Sequence, residues 1–261
     1  KYEDPEYSIT QTPLNEQDLK TMSEAVEVLR QFKGFSYFTE MSDIINRLED
    51  HVASARMKTT PVIDFEKNES LKGLDYLDTI YHAIVNEHPI QLKYRSFKAR
   101  SANSFIFYPY LLKEYRNRWF VYGVRGNGRI LQNLALDRIQ SLEVLPQEHY
   151  IKNTFFDPNT FFDDLVGVTK NSGSVAEKVG FKVAAAEAPY IITKPIHRSQ
   201  QLVERLPDGS VILEIEVVIN HELERVFFGY VDGIEILYPK TLVELMSRKL
   251  EKAAKQYTKS K

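Results

Sequence analysis

Cysteine is absent from this 261-residue chain. That absence excludes disulfides, thiolate metal sites and a cysteine nucleophile at once, and it fits a reducing compartment, so a cytoplasmic location is expected. Long apolar runs are missing too. None approaches the roughly 18 residues that a membrane-spanning helix needs. The amino end, Lys1 to Thr10, is polar and acidic rather than a signal peptide, so no membrane partner is expected. Enzyme signatures are equally scarce. Gly123, Gly126 and Gly128 stand too close together for a phosphate-binding loop and lack the lysine and hydroxyl that follow one. None of His51, His82, His88, His149, His197 and His221 has a histidine four residues away, as a zinc-binding helix would. No serine sits in a nucleophile elbow, and Asp163-Asp164 reads as a solvent-facing pair beside a linker. The expectation is a protein with no catalytic residues, no metal and no cofactor.

What is present is an uneven distribution of charge. Between Gln91 and Gln140 the basic residues are Lys93, Arg95, Lys98, Arg100, Lys113, Arg116, Arg118, Arg125, Arg129 and Arg138, against Glu114 and Asp137 alone, a local balance of +8. The chain holds 34 basic and 36 acidic residues, so the remainder carries −10. A near-neutral total thus combines a cationic module with an acidic body, and the asymmetry points to an anionic partner. An apolar fraction of 43% suits an ordinary packed core, in one large domain or several small ones.

Taken in order, the chain reads as a mixed α+β protein. Asn15 caps an expected helix in which Leu19, Met22, Val26 and Leu29 form one stripe, and Met41, Ile45, Leu48, Val52 and Ala55 form a second. Residues 1–73 are therefore expected to be a helical hairpin and linker, either a dimerisation arm or a layer packed on its own domain. A third helix from Leu74 ends at His88-Pro89, because proline disfavours a helical residue before it. Five short strands follow between Ile90 and Leu145, separated by turn residues at Arg116-Asn117-Arg118 and Gly126-Asn127-Gly128. So short a sheet would protect its edges by closure, so a small Sm/SH3-like barrel is expected over 74–146. Residues 147–174 read as a linker with a short helix starting at Asp157-Pro158. From 175 to 261 the rhythm becomes β-α-β-β-α-β plus a final helix, the split arrangement of ferredoxin-like domains.

Arginines and lysines interleaved with Tyr94, Trp119, Phe120 and Tyr122 are the ingredients of a nucleotide or nucleic-acid face. Guanidinium forks clamp phosphate while rings stack on bases. The plainer reading is that aromatics fill a barrel and alternate charges face water. A merely solvated face would mix both signs, and this one hardly does. The rival functional class is a protein-interaction module whose basic surface docks an acidic partner or a sister subunit.

Trp119-Phe120-Val121, preceded by Pro109 to Arg118 and followed by Leu134 to Ile139 with its Asp137-Arg138-Ile139 step, resembles the signature of the WYL domain. Tyr94 and Ser96 fit the strand that precedes it in that family. Phe120 and Val121 stand where the eponymous tyrosine and leucine would be, and Gln132 or Asn133 where an arginine is often found. Pro195, His197, Ser199 and Gln200, and later Ile236 to Pro239, resemble the WCX extension that often accompanies WYL domains. The resemblance implies the effector-sensing, homodimerising part of a bacterial transcriptional regulator. Its DNA-binding winged helix would precede Lys1, which is not a methionine. Joined to the cationic, aromatic-interleaved strands, this reading leads to an expected anionic ligand, an oligonucleotide or nucleotide, held by Tyr94, Arg95, Ser96, Lys113, Arg116, Arg118, Trp119, Tyr122, Arg125, Asn133 and Arg138.

Overall fold

A computed structural model of the chain describes residues 71–126, 128 and 130–258. The helical hairpin expected between Asn15 and Ala55 lies outside them. Among the described residues the protein is α+β, with two antiparallel sheets. The chain divides into two compact units: Lys1–Val121 with Leu134–Tyr150, and Tyr122–Asn133 with Ile151–Lys261.

In the first unit a 3-10 turn, Leu74–Tyr76, leads into helix α1, Leu77–Val85. Leu77, Ile80 and Ala83 face inward at three-residue steps and are buried. The helix stops short of Pro89: the backbone turns through Glu87 at φ 53°, and the His88 amide closes onto the Ala83 carbonyl at 2.8 Å. Five strands then follow: β1 Ile90–Tyr94, β2 Asn103–Tyr115, β3 Arg118–Arg125, β4 Leu131–Ala135 and β5 Ile139–Val144. The turn between β2 and β3 is the two residues Arg116 and Asn117, both left-handed at φ 50° and 61°. That geometry is the one whose twist matches a hairpin. The Asn117 amide also donates to the Glu114 carboxylate.

The sheet runs β4-β3-β2-β1-β5. The expected closed barrel is therefore not found: among the described residues the hydrogen-bonded order is linear, with β4 and β5 at its edges. In place of closure, β1 is an interior strand next to the β5 edge, pairing Tyr94 with Asn103 on one side and Ile139 on the other. Ile90, Leu92, Phe107, Val121, Leu136 and Ile139 pack with α1 into one core, each burial contributing roughly 1.5–3 kcal/mol. Between β4 and β5 lies a second 3-10 turn, Leu136–Arg138. Gly73, at φ 82°, is pressed onto it so closely that a β-carbon would overlap the Leu136 backbone.

The second unit holds strands β6 Glu177–Val183, β7 Gln201–Arg205, β8 Val211–Val217 and β9 Ile234–Tyr238, in the order β7-β8-β6-β9. Helices α2 Ala188–Thr193, α3 His221–Phe228 and α4 Lys240–Thr258 complete it. Val179, Phe181, Val183, Leu213, Ile215 and Val217 alternate along β6 and β8 and meet Ile191, Leu223, Phe227 and Leu242 from the helices in a second core. The short helix expected from Asp157 is instead a run of turns. Asp157 does cap it, accepting from the Asn159 amide at 2.9 Å, and one bond of helical span follows, from Phe161 N to Asp157 O. The next two close after three residues. Phe156, Phe161 and Phe162 explain the interruption, because all three are drawn onto the Tyr122 ring.

Candidate functional site

The register of β1 builds the site. Pairing Tyr94 with Ile139 puts the 3-10 turn that ends at Arg138 beside the end of β1, and the Arg95 amide extends the contact by donating to the Arg138 carbonyl at 3.1 Å. The Arg138 guanidinium lies over the Phe97 ring, 4.6 Å from its centroid. Such stacking orients the planar fork and holds it partly out of water. Arg118, the first residue of β3, reaches the same place, its Nε 3.2 Å from Asp137 Oδ2. Arg138 Nε stands 3.8 Å from Asp137 Oδ1. That is an ion pair but not a hydrogen bond, so both atoms are buried without a hydrogen-bond partner. Burial raises the Tyr94 hydroxyl above its ordinary range, and the Arg138 guanidinium partly offsets the shift. Tyr94 therefore stays a neutral donor at physiological pH.

Of the residues named from sequence, Tyr94, Arg118 and Arg138 gather around this point; Arg95 meets it only through its backbone amide, its Nε donating to the Ala99 carbonyl at 3.5 Å, and the Ser96 carbonyl accepts from the Ala99 amide in the adjoining turn. Others lie elsewhere. Arg116 sits at the tip of the β2–β3 turn over the Tyr115 ring, Lys113 is on β2, and Arg125 ends β3 at the far end from Arg118. Trp119 is half-buried against the first core. Tyr122 and Asn133 both donate to the Val168 carbonyl, Asn133 at 2.7 Å. Burial pushes the Tyr122 hydroxyl far up, and its ring is enclosed by three phenylalanines. These two side chains hold a loop. Sequence reasoning left out Asp137 and Phe97 as site residues. A lone acid in a basic stretch was the available signal for Asp137. Phe97 carried none, because its contact depends on the turn between β1 and β2.

Chemically the cluster offers guanidinium donors, a stacked ring and one carboxylate. Among the described residues no group of three or more His, Cys, Asp or Glu side chains is placed to hold a metal ion, and no helix is long and apolar enough to cross a membrane.

Comparison with known proteins gives two domain matches, a WYL domain over residues 75–144 and a WCX domain over 176–254, which together account for more than half of the chain. No curated protein matches. Among solved structures, proteasome accessory factor B/C (PafBC) of Arthrobacter aurescens is similar at 17% identity and a TM-score of 0.29, over 74% of this chain. This chain spans only 28% of the length of that one. A structure described as a CRISPR Cas-related protein is similar at 11% identity and a TM-score of 0.45, over 96% of this chain and 89% of that one. The first of these domains encloses every residue of the arginine cluster, and on the two matches the chain belongs to the WYL-domain family, with a WCX domain following.

Proposed function

We propose that this chain is the effector-sensing and dimerising region of a bacterial transcriptional regulator, acting in the cytoplasm. Its WYL domain binds an anionic ligand, an oligonucleotide or nucleotide, and thereby controls a DNA-binding module. Family membership supports the regulator class. The observation that carries the ligand reading is the convergence of Arg118 and Arg138 beside Tyr94, with Phe97 stacked under one guanidinium. The arginines meet phosphate and the rings meet bases. The strand order β7-β8-β6-β9 with α2 and α3 in the crossovers supports reading the second unit as ferredoxin-like.

The test is fluorescence anisotropy with a short labelled oligothymidylate, titrated at several salt concentrations. Two arginine–phosphate contacts predict a slope of about −1.4 in log K against log salt, at about −0.7 per neutralised phosphate of a single strand. The Arg118→Ala/Arg138→Ala double variant should lose most of the affinity and most of that slope. Salt-insensitive binding, or binding unchanged in the double variant, sinks the assignment.

A further inference from the structure

Asp137 has no role in gripping an anion, yet it occupies the centre of the cationic cluster. Its carboxylate bridges the two arginines, at 3.2 Å from Arg118 Nε and 3.8 Å from Arg138 Nε. The stretch from Gln91 to Gln140 has one other acid, Glu114, and that carboxylate is engaged by the Asn117 amide at the β2–β3 turn. The bridge is also half-made. Asp137 Oδ1 and Arg138 Nε are both buried with no hydrogen-bond partner. The Phe97 ring lies against the Arg138 guanidinium, which restrains its turning towards Asp137. A fully satisfied ion pair would resist exchange, whereas a partly satisfied one leaves a donor waiting for a better-placed acceptor. The Arg118 arm of the bridge borders solvent, its side chain 48% exposed against 15% for Asp137.

We propose that Asp137 is an internal counter-anion: it fills the place between Arg118 and Arg138 that an external phosphate must take, and so sets the affinity threshold of the site. The inference rests on the anion-binding reading given above and adds a residue whose charge opposes the ligand. While the site is empty, Asp137 lowers the cost of holding two guanidinium groups together. When ligand arrives, phosphate oxygens replace the carboxylate on Arg118 and complete the unmade bond at Arg138. Asp137 then faces water and repels any second negative charge.

The experiment compares wild type, Asp137→Asn and Asp137→Glu in the same oligothymidylate anisotropy titration. Asp137→Asn should bind about tenfold more tightly, which corresponds to about 1.4 kcal/mol, with a steeper salt dependence. Asp137→Glu, which keeps the charge, should bind close to wild type, an outcome that a purely structural role for the shape of Asp137 would not produce. In an Arg118→Gln background the gain from Asp137→Asn should shrink, because the bridged partner is gone. Asp137→Ser is the second neutral variant should asparagine disturb folding, as judged by the unfolding midpoint. If wild type binds and the neutral variants bind equally or more weakly, the counter-anion role is overturned while the anion-binding reading stands. If neither wild type nor the neutral variants bind, the anion-binding reading itself falls.

Discussion

Gly180 lies on the face of the β6–β9 sheet opposite the helices, and it is the position where a single methyl group should do most damage. It pairs with Tyr238 of β9 on one side and Glu214 of β8 on the other. The Tyr238 ring lies across it from strand to strand, and its hydroxyl donates to Glu214 Oε2 at 2.7 Å. A β-carbon on Gly180 would fall inside the ring, and backbone pairing on both sides leaves the strand nowhere to go. Gly180→Ala must therefore push the ring off the sheet. That forfeits its packing and a hydrogen bond to a charged group, together about 2–3 kcal/mol. Tyr238→Ala loses the same contacts from the other side and should cost about 2 kcal/mol. The double variant has nothing left to clash and should cost little more than Tyr238→Ala alone, a coupling of about 2 kcal/mol where independent sites would add. Urea unfolding followed by circular dichroism measures all four corners of this cycle. A cost for Gly180→Ala below about 0.5 kcal/mol, within the range of ordinary surface substitutions, or strict additivity, would refute the account of an aromatic side chain that needs a glycine beneath it.

The same bond gives a pH prediction. Lys178 and the Tyr238 hydroxyl hold the Glu214 carboxyl below its ordinary range, so its contribution is present above the unfolded carboxyl value and is lost as pH falls through the lower folded one. The Tyr238 hydroxyl is raised by donating to Glu214, so its contribution is present below its unfolded value and is lost as pH rises through the folded one. Unfolding midpoints across pH should show both losses in wild type, and Tyr238→Phe should remove the Tyr238 share of the alkaline one, leaving the shares of the buried Tyr94 and Tyr122 hydroxyls. Arg116→Gly should stabilise the β2–β3 hairpin by about 1 kcal/mol by removing a side chain from a left-handed residue, while leaving oligothymidylate affinity near wild type, since Arg116 is apart from the Arg118–Arg138 cluster. Tyr122→Phe and Asn133→Ala should each cost about 1 kcal/mol because the other still satisfies the Val168 carbonyl. The double variant leaves that buried oxygen bare and should cost about 1–3 kcal/mol beyond the sum.

By itself the amino-acid sequence determined the elements and the charge. Periodicity located α1 against the Pro89 stop, the strands from Ile90 to Leu145, and the β-α-β-β-α-β order of the carboxy-terminal half, because period two and period 3.6 are local properties of a chain. The +8 balance between Gln91 and Gln140 was equally plain, since it is a count. Only the tertiary structure decided which charges meet. Arg116 and Arg118 are two residues apart, yet one tops a hairpin turn and the other reaches Asp137, because a left-handed turn reverses the chain between them. Tyr122 and Asn133 were named as ligand residues, and the fold has both donate to the Val168 carbonyl. Nothing local pairs residues 35 or more positions apart, and the same holds for Phe97 beneath Arg138. Sheet closure was likewise beyond the sequence, since strand length and alternation do not say whether an edge finds a partner.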